Sequence, residues 1–260
     1  CTKHTPDTAA KMSVDGAGNV SWGQAALIIN PWDEYAVEEA LLLKDQHGGK
    51  ITVLAVGPQE AQEAIKHAVA MGCDAAIRVW DESFVGSDTL ATSYILAQAI
   101  KKMDDVDLVL LGRGTVDSDT WQVGPALAQR LGYASLMYTS KIEHLDPTAR
   151  TISVERLLEQ GRQKVSSRLP AVVGTVKDIN EPRYPSFRGI RKAAKLETTV
   201  WGASALSVDP AQVGTAGSGV IWPSIYAPPT RESEAEIIEA DDVQKAAAIL
   251  VDKLIAEKVI

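Results

Sequence analysis

Short apolar runs alternate with segments of helical period along the first half of the chain. AALII (25 to 29) gives way to EYAVEEALLLK. ITVLAV (51 to 56) gives way to a stretch in which Ala61, Ala64, Ile65, Ala68 and Val69 recur at intervals of three and four while Glu60, Glu63 and Lys66 face away. Gly72 follows, at the place of a helix C-cap. AAIRVW (75 to 80) predicts a further strand, a helix capped by Asp88 runs through Tyr94 and Ile95 to about Lys102, and VDLVLL (106 to 111) predicts the next strand. PALAQRL (125 to 131) reads as the helix after it. Runs so uniformly apolar are buried on both faces, as in a parallel sheet covered by helices. The pattern therefore predicts an α/β, doubly wound, mostly parallel fold.

From Ser135 to Val173 the segments shorten and gain β-branched residues: TISVERLL, RQKVSSRL and PAVVGTV predict further strands of the same domain. The domain is expected to span residues 1–200. Residues 202–234 are rich in Gly, Ser, Pro and Thr and read as an extended arm. The chain closes on a helix: Asp241 and Asp242 suit its N-terminus, and Val243, Ala246, Ala247, Leu250, Val251, Leu254 and Ile255 form one apolar stripe. Residues 201–260 thus form an arm and an amphipathic helix that either folds back on its own core or clasps a partner subunit.

Composition narrows the function classes. The 260 residues are 45% apolar, enough for a substantial core, and carry a formal charge of −8, which disfavours a general nucleic-acid or anionic-membrane surface. No apolar run approaches the roughly 20 residues of a membrane span, and CTKHTPDTAAK has no signal-peptide core. A cytoplasmic protein is expected. Two cysteines and four scattered histidines lack the spacing of a metal site, and no nucleophile–base constellation stands out, so no metal and no catalytic residue is assigned.

The candidate chemistry lies after VDLVLL, in GRGTVDSDTWQVGP (112 to 125). Open α/β sheets bind ligands beyond the carboxyl ends of their strands, where loops lead into helix N-termini. Gly112, Gly114 and Gly124 permit close backbone approach, and free amides at the following helix favour phosphate. Ser118 and Thr120 add hydroxyls, while Asp117 and Asp119 either accept from ribose hydroxyls or orient the loop. Asn30 and Pro31, ending a strand before INPWDEYAVEEA continues, and VGP at 56 to 58 belong at the same edge, and Val56 would border an adenine. The residues alone leave alternatives open. The glycine loop either cradles a nucleotide or simply turns the chain, Trp32 and Trp121 either pack or stack on a flavin, and Asp33 either reaches the site or caps its helix.

Taken together, NPWDEYAVEEALLLK, AVAMGCDAAI, GSDTLATSYILA, DLVLLGRGTVDSDTWQVGPALA, LPAVVGTV and NEPRYPSFRGIRKAAK resemble the β subunits of electron-transfer flavoproteins, from Cys1 to about Lys195 and more weakly in the last helix. The resemblance implies an α/β domain of the adenine-nucleotide α-hydrolase-like type and a heterodimer with an α subunit that carries redox-active FAD. It also implies a nucleotide site at Cys1, Asn30, Pro31, Trp32, Asp33 and Val56, together with Gly112, Arg113, Gly114, Thr115, Val116 and Asp117, and Ser118, Asp119, Thr120, Trp121, Gln122 and Val123. Conventional members hold AMP there and electron-bifurcating members a second FAD.

Asp117, Asp119, Thr120, Gln122, Val123, Gly124 and Pro125 are similar to the bifurcating type, which favours FAD over AMP. The sequence departs from that type at Gly114-Thr115, where Gln-Ala is usual, at Ser118, where Gly is usual, and at Trp121, where a small residue is usual. Members also begin with a short apolar strand ahead of the residues matched by Cys1, Thr2 and Lys3, so such a strand is expected to precede this sequence.

NEPRYPSFRGIRKAAK matches the family's recognition loop for a flavin dehydrogenase, such as one of the acyl-CoA dehydrogenase type. Phe187 is then the apolar anchor, beside Tyr184, with Arg183, Arg188, Arg191, Lys192 and Lys195 as the basic surround. The expected function is electron carriage within a heterodimer, with NADH as donor if the protein bifurcates. A non-bifurcating carrier holding structural AMP, a stress-protein-like nucleotide-binding module and, more distantly, a nicotinamide dehydrogenase are the alternatives. The incomplete glycine fingerprint disfavours the last.

Overall fold

The computed structural model describes residues 1–229 and 235–260. Strand β1 (His4–Pro6) is followed by a two-stranded ribbon, β2 (Ser13–Val14) and β3 (Val20–Ser21), and by β4 (Leu27–Ile29), helix α1 (Pro31–His47) and β5 (Thr52–Val56). The expected alternation continues through α2 (Gln62–Met71), β6 (Ala75–Val79), α3 (Thr89–Lys102), β7 (Leu108–Gly112) and α4 (Val123–Leu131). The long β8 (Ala134–Asp146), then β9 (Thr151–Leu158), β10 (Gly161–Arg168) and β11 (Ala171–Thr175) follow. After them come α5 (Phe187–Ala194), β12 (Thr199–Trp201), α6 (Ala203–Leu206), α7 (Gly214–Gly217) and α8 (Val243–Ala256).

One sheet has the order β10-β9-β8-β11-β7 and another the order β12-β6-β5. Pairing is parallel where βα units supply the strands (β5–β6, β6–β12, β7–β11, β8–β11) and antiparallel where hairpins do (β8–β9–β10). The start of the chain joins the two sheets: the Cys1 nitrogen donates to Leu110 O of β7 at 2.6 Å and Thr2 N–H to Leu54 O of β5 at 2.9 Å.

The two-residue side-chain period of a strand sorts the core. Leu54 faces α3 and α4 with Val79, Ile95, Leu127 and Val172, while Val53 and Ala55 face α1 and α2 with Leu41, Ile65 and Val69. Helices on both faces explain why these strands are almost wholly apolar; the charged exception, Arg78 of β6, is buried and donates to Gly57 O at 3.3 Å and Gln59 Oε1 at 3.1 Å. Asp88 caps α3 as the sequence suggests, accepting from Ala91 N–H at 3.0 Å, and Gly72, at φ 144°, closes α2.

Two expectations need correction. The run at 25 to 29 does not join the parallel sheet. Leu27–Ile29 pairs antiparallel with His4–Pro6, because the chain leaving the C-terminal edge at Lys3 runs directly alongside it and Asn30 N–H continues the ladder to Lys3 O at 2.8 Å. The supposed arm from residue 202 is also part of the core at first: Leu206 and Val213 are 5% and 3% exposed and pack with the α3 cluster. The short helical turns there left no period long enough to read.

Residues 230–234 of the expected arm lie outside the described residues. Helix α8 forms where predicted, with Asp242 capping Lys245 N–H at 2.7 Å, yet Leu250, Val251 and Ile255 remain about half exposed. Among the described residues nothing covers its stripe.

Candidate functional site

Strands β4, β5 and β7 end at one edge, and the loops that follow enclose a cavity of about 750 Å³. That size falls within the roughly 300–1,000 Å³ of small-molecule sites. Backbone proximity builds the floor. A Cβ on Gly112 would stand 2.6 Å from the carbonyl carbon and Cβ of Trp32, so α1 can abut the end of β7 only where no side chain intervenes. A Cβ on Gly114 would likewise meet the Trp121 ring at 2.4 Å.

Asn30 and Asp33 then staple the loop from beneath. The buried Asn30 carboxamide donates from Nδ2 to Gly114 O at 2.9 Å and accepts from Val116 N–H at 3.2 Å through Oδ1. The Asp33 carboxylate accepts from Gly112 N–H at 3.0 Å and Lys3 N–H at 2.9 Å, and burial pushes it up to about 6. Asp33 thus reaches the site and makes no cap bond to α1, whose N-cap is Asn30. Asp117 pairs with Lys3 Nζ at 2.6 Å; burial pushes its carboxyl up, but the bonds from Lys3 and Thr115 outweigh this and hold it below its ordinary value.

Of the residues expected to bind nucleotide, Cys1, Asp33, Val56, Gly112, Arg113 and Gly114 line the cavity. Thr115, Ser118, Thr120, Trp121, Gln122 and Val123 line it too. Asn30, Pro31, Trp32, Val116, Asp117 and Asp119 do not. Pro31 opens α1, Trp32 lies under Arg113, and Asp119 accepts from the Trp121 indole N–H. The tryptophans therefore pack against a cation first.

The opposite wall was missed. Val85, Gly86, Ser87, Asp88, Thr89 and Thr92 line it, together with Trp80, Phe84 and, from the arm, Trp222. The rule that placed the other loops also covers this one, since it follows the end of β6. The sequence marks Asp88 there only as a helix cap. Its second carboxylate oxygen accepts from Gly219 N–H at 2.8 Å and Val220 N–H at 3.1 Å, tying the arm beside the cavity. Burial opposes its charge, but these amides and that of Ala91 outweigh burial and keep its carboxyl below the usual value. Asp88→Ala is expected to lose the cap and the tie together, about 1–2 kcal/mol in urea unfolding. Proteolysis beyond residue 219 should quicken. Asp88→Asn, whose single acceptor oxygen can serve the cap or the tie but not both, should recover about half of the loss.

Three buried polar atoms of lining residues have no protein partner among the described residues: Thr2 Oγ1, His4 Nδ1 and Arg113 Nε. Burial also holds His4 below its ordinary value. The Thr92 and Thr120 hydroxyls and the Arg113 side chain stand in the lining as polar groups, while Phe84, Leu96, Leu111 and Val123 give the cavity an apolar wall. This combination fits a nucleotide, with its flat ring and oxygen-rich chain.

The segment expected to meet a dehydrogenase runs through the loop before α5 and along α5 itself. Tyr184 and Phe187 are 95% and 84% exposed, with Arg188, Arg191 and Lys195 also exposed. Arg183 is engaged within the chain: its guanidinium binds the Glu38 carboxylate at 2.8 Å and Asp45 at 3.3 Å. Lys192 Nζ donates to Cys73 O at 2.7 Å. Both hold the segment down and add little free charge to its rim. The acidic pair Glu38–Glu39, which blurs the period of α1, is buried because Arg183 and Asn180 cover it.

The electron transfer flavoprotein domain matches residues 23–206. Protein FixA of Azotobacter vinelandii is 41% identical over 247 residues, covering 93% of this chain and 88% of that protein. Protein FixA of Azorhizobium caulinodans is 38% identical over 258 residues, 97% of this chain and 92% of its own length. Electron transfer flavoprotein subunit beta of Megasphaera elsdenii is 37% identical over 269 residues, 100% of this chain and 98% of its own length. Among the described residues no helix is long and apolar enough to cross a membrane. By the domain match over residues 23–206 and by near full-length similarity to these proteins, this chain belongs to the electron transfer flavoprotein family.

Proposed function

We propose that this chain is the β-type subunit of a cytoplasmic electron-transfer flavoprotein. It pairs with an α subunit and carries electrons between a flavin dehydrogenase and an acceptor. The cavity beyond β5 and β7, with an apolar wall and the unpaired Arg113 in its lining, is the observation that carries the nucleotide part of this reading. FAD fits that space better than AMP, because the lining continues past the 112–124 loop to an apolar far wall at Trp80 and Phe84. A bound FAD supplies hydride and single-electron chemistry, while the protein positions it and tunes its potential. Asn30 and Asp33 hold the loop, and the apolar wall excludes water. If FAD occupies this site, NADH is the proposed donor and its two electrons divide between a high- and a low-potential route.

Coexpression with the α subunit, denaturation of the purified complex and chromatography of the released nucleotides tests the assignment. Two FAD per heterodimer is the expected result. One FAD and one AMP would make the β site structural and the protein a single-flavin carrier, and no nucleotide beyond the α subunit's FAD would remove the site.

A further inference from the structure

Arg113 is the least satisfied charged group in the cavity wall. Its Cζ lies 4.0 Å from the ring centroid of Trp32 and 4.3 Å from that of Trp121. Among the described residues no carboxylate or carbonyl accepts from the guanidinium, and Nε is buried without a partner. A guanidinium has all its N–H donors in its plane, so indoles covering its faces leave only the edge for hydrogen bonding. The charge is held in place and its donors remain unused.

Much structure is devoted to keeping Trp121 there. Its backbone lies at φ 58°, a conformation that bulky residues rarely adopt and that surrounding contacts must enforce. Its indole N–H donates to Asp119, itself at φ 45°. The ring abuts Gly114, where any side chain would collide with it. Tyr138 meets it edge to face, with centroids 5.8 Å apart. Tyr138 sits at φ 61° where the register between β11 and β8 slips, and such a bulge re-aims a side chain. The other side is equally fixed, since Trp32 is locked against Gly112.

We propose that Trp121 is a positioning residue. With Trp32 it clamps the Arg113 guanidinium so that its free edge meets the phosphoryl oxygens of an adenine nucleotide in the cavity. This rests on the nucleotide reading above and adds which group recognises the phosphate and what orients that group. The phosphoryl group beside adenosine is common to AMP and FAD, so the inference does not depend on which of them is resident. Charge-assisted bonds from Arg to phosphate are strong and directional, and their strength depends on the geometry the clamp supplies.

The αβ complex depleted of its β-site nucleotide provides the test, with AMP and adenosine as probes. AMP is titrated calorimetrically and adenosine is measured by competition. Arg113→Gln should weaken AMP about 30-fold and adenosine less than about 3-fold, because only AMP carries the phosphate. Trp121→Ala should weaken AMP about 10-fold, again sparing adenosine, and Trp121→Phe, which keeps an aromatic face, should restore AMP to within about 3-fold of the parent.

Equal losses for AMP and adenosine in Trp121→Ala would overturn the clamp, since the indole would then serve the base or the packing. AMP binding indifferent to Arg113→Gln would overturn it as well, and that variant decides alone if Trp121→Ala does not fold. Failure of the parent complex to bind either probe would instead sink the nucleotide reading.

Discussion

Gly112→Ala is expected to destabilise the protein by about 3 kcal/mol and to empty the nucleotide site. The added carbon would lie 2.6 to 2.7 Å from the Trp32 carbonyl carbon, oxygen and Cβ. Those atoms belong to the first turn of α1 and cannot rotate away, so either helix or strand must move, and overpacking of that kind costs about 1–3 kcal/mol. Movement would also part Gly112 N–H from the buried Asp33 carboxylate, now 3.0 Å away, adding the penalty of an unsatisfied buried group. For a chain of this size the sum corresponds to a melting temperature lower by about 6–12 °C.

Gly124→Ala is the control. Its new carbon would meet the Met137 sulfur at 2.8 Å, the far end of a flexible side chain. The gain in helix propensity within α4 offsets that contact, so stability should change by less than about 1 kcal/mol. Calorimetric melting of both variants beside the parent, with nucleotide content measured on each, checks the pair. Equal effects at the two glycines would show that the approach of α1 to β7 has no special rigidity.

Phe187→Ala should slow electron transfer from the partner dehydrogenase about 30-fold or more while leaving nucleotide content and melting unchanged. An aromatic 84% exposed makes almost no contribution to its own fold, so its removal is structurally silent. Its platform, in contrast, is rigid. Gly189 packs so closely that a Cβ there would stand 1.9 Å from Ala70 O, Lys192 ties α5 to Cys73, and the bidentate Arg183–Glu38 pair anchors the approach.

An aromatic side chain presented from a fixed helix and ringed by Arg188, Arg191 and Lys195 has the composition of an interface hot spot. Loss of such a residue costs about 2 kcal/mol or more, which is the 30-fold. Stopped-flow reduction of the complex by dehydrogenase, across a range of salt, gives the rate. Unchanged coupling would remove α5 as the docking surface. An Arg188→Glu exchange should act differently, lowering the association rate and its salt dependence, because rim charges steer approach.

The βα alternation and the loop after β7 were legible because each leaves a local signature. Buried parallel strands need uninterrupted apolar runs, helix faces need a period near 3.6, and caps such as Asp88 and Gly72 are chemically specific. The ordered motifs pointed to the family for the same reason. Residues whose roles depend on contacts far along the chain carried no such signature. Arg183 looked like a free surface charge until Glu38, 145 positions away, proved to be its partner. Leu206 and Val213 looked like parts of an arm because short turns hide their burial.

What the sequence determined by itself is therefore the layered α/β scaffold and the loop that forms one wall of the site. These follow from propensity and periodicity within a dozen residues. Only the tertiary structure decided that β4 pairs with β1 instead of the sheet, and that the residues around Asp88 form the second wall. It alone set Trp32 and Trp121 against Arg113. Each of these is a meeting of segments distant in the chain, governed by what space and which hydrogen-bonding groups remain once the core has packed.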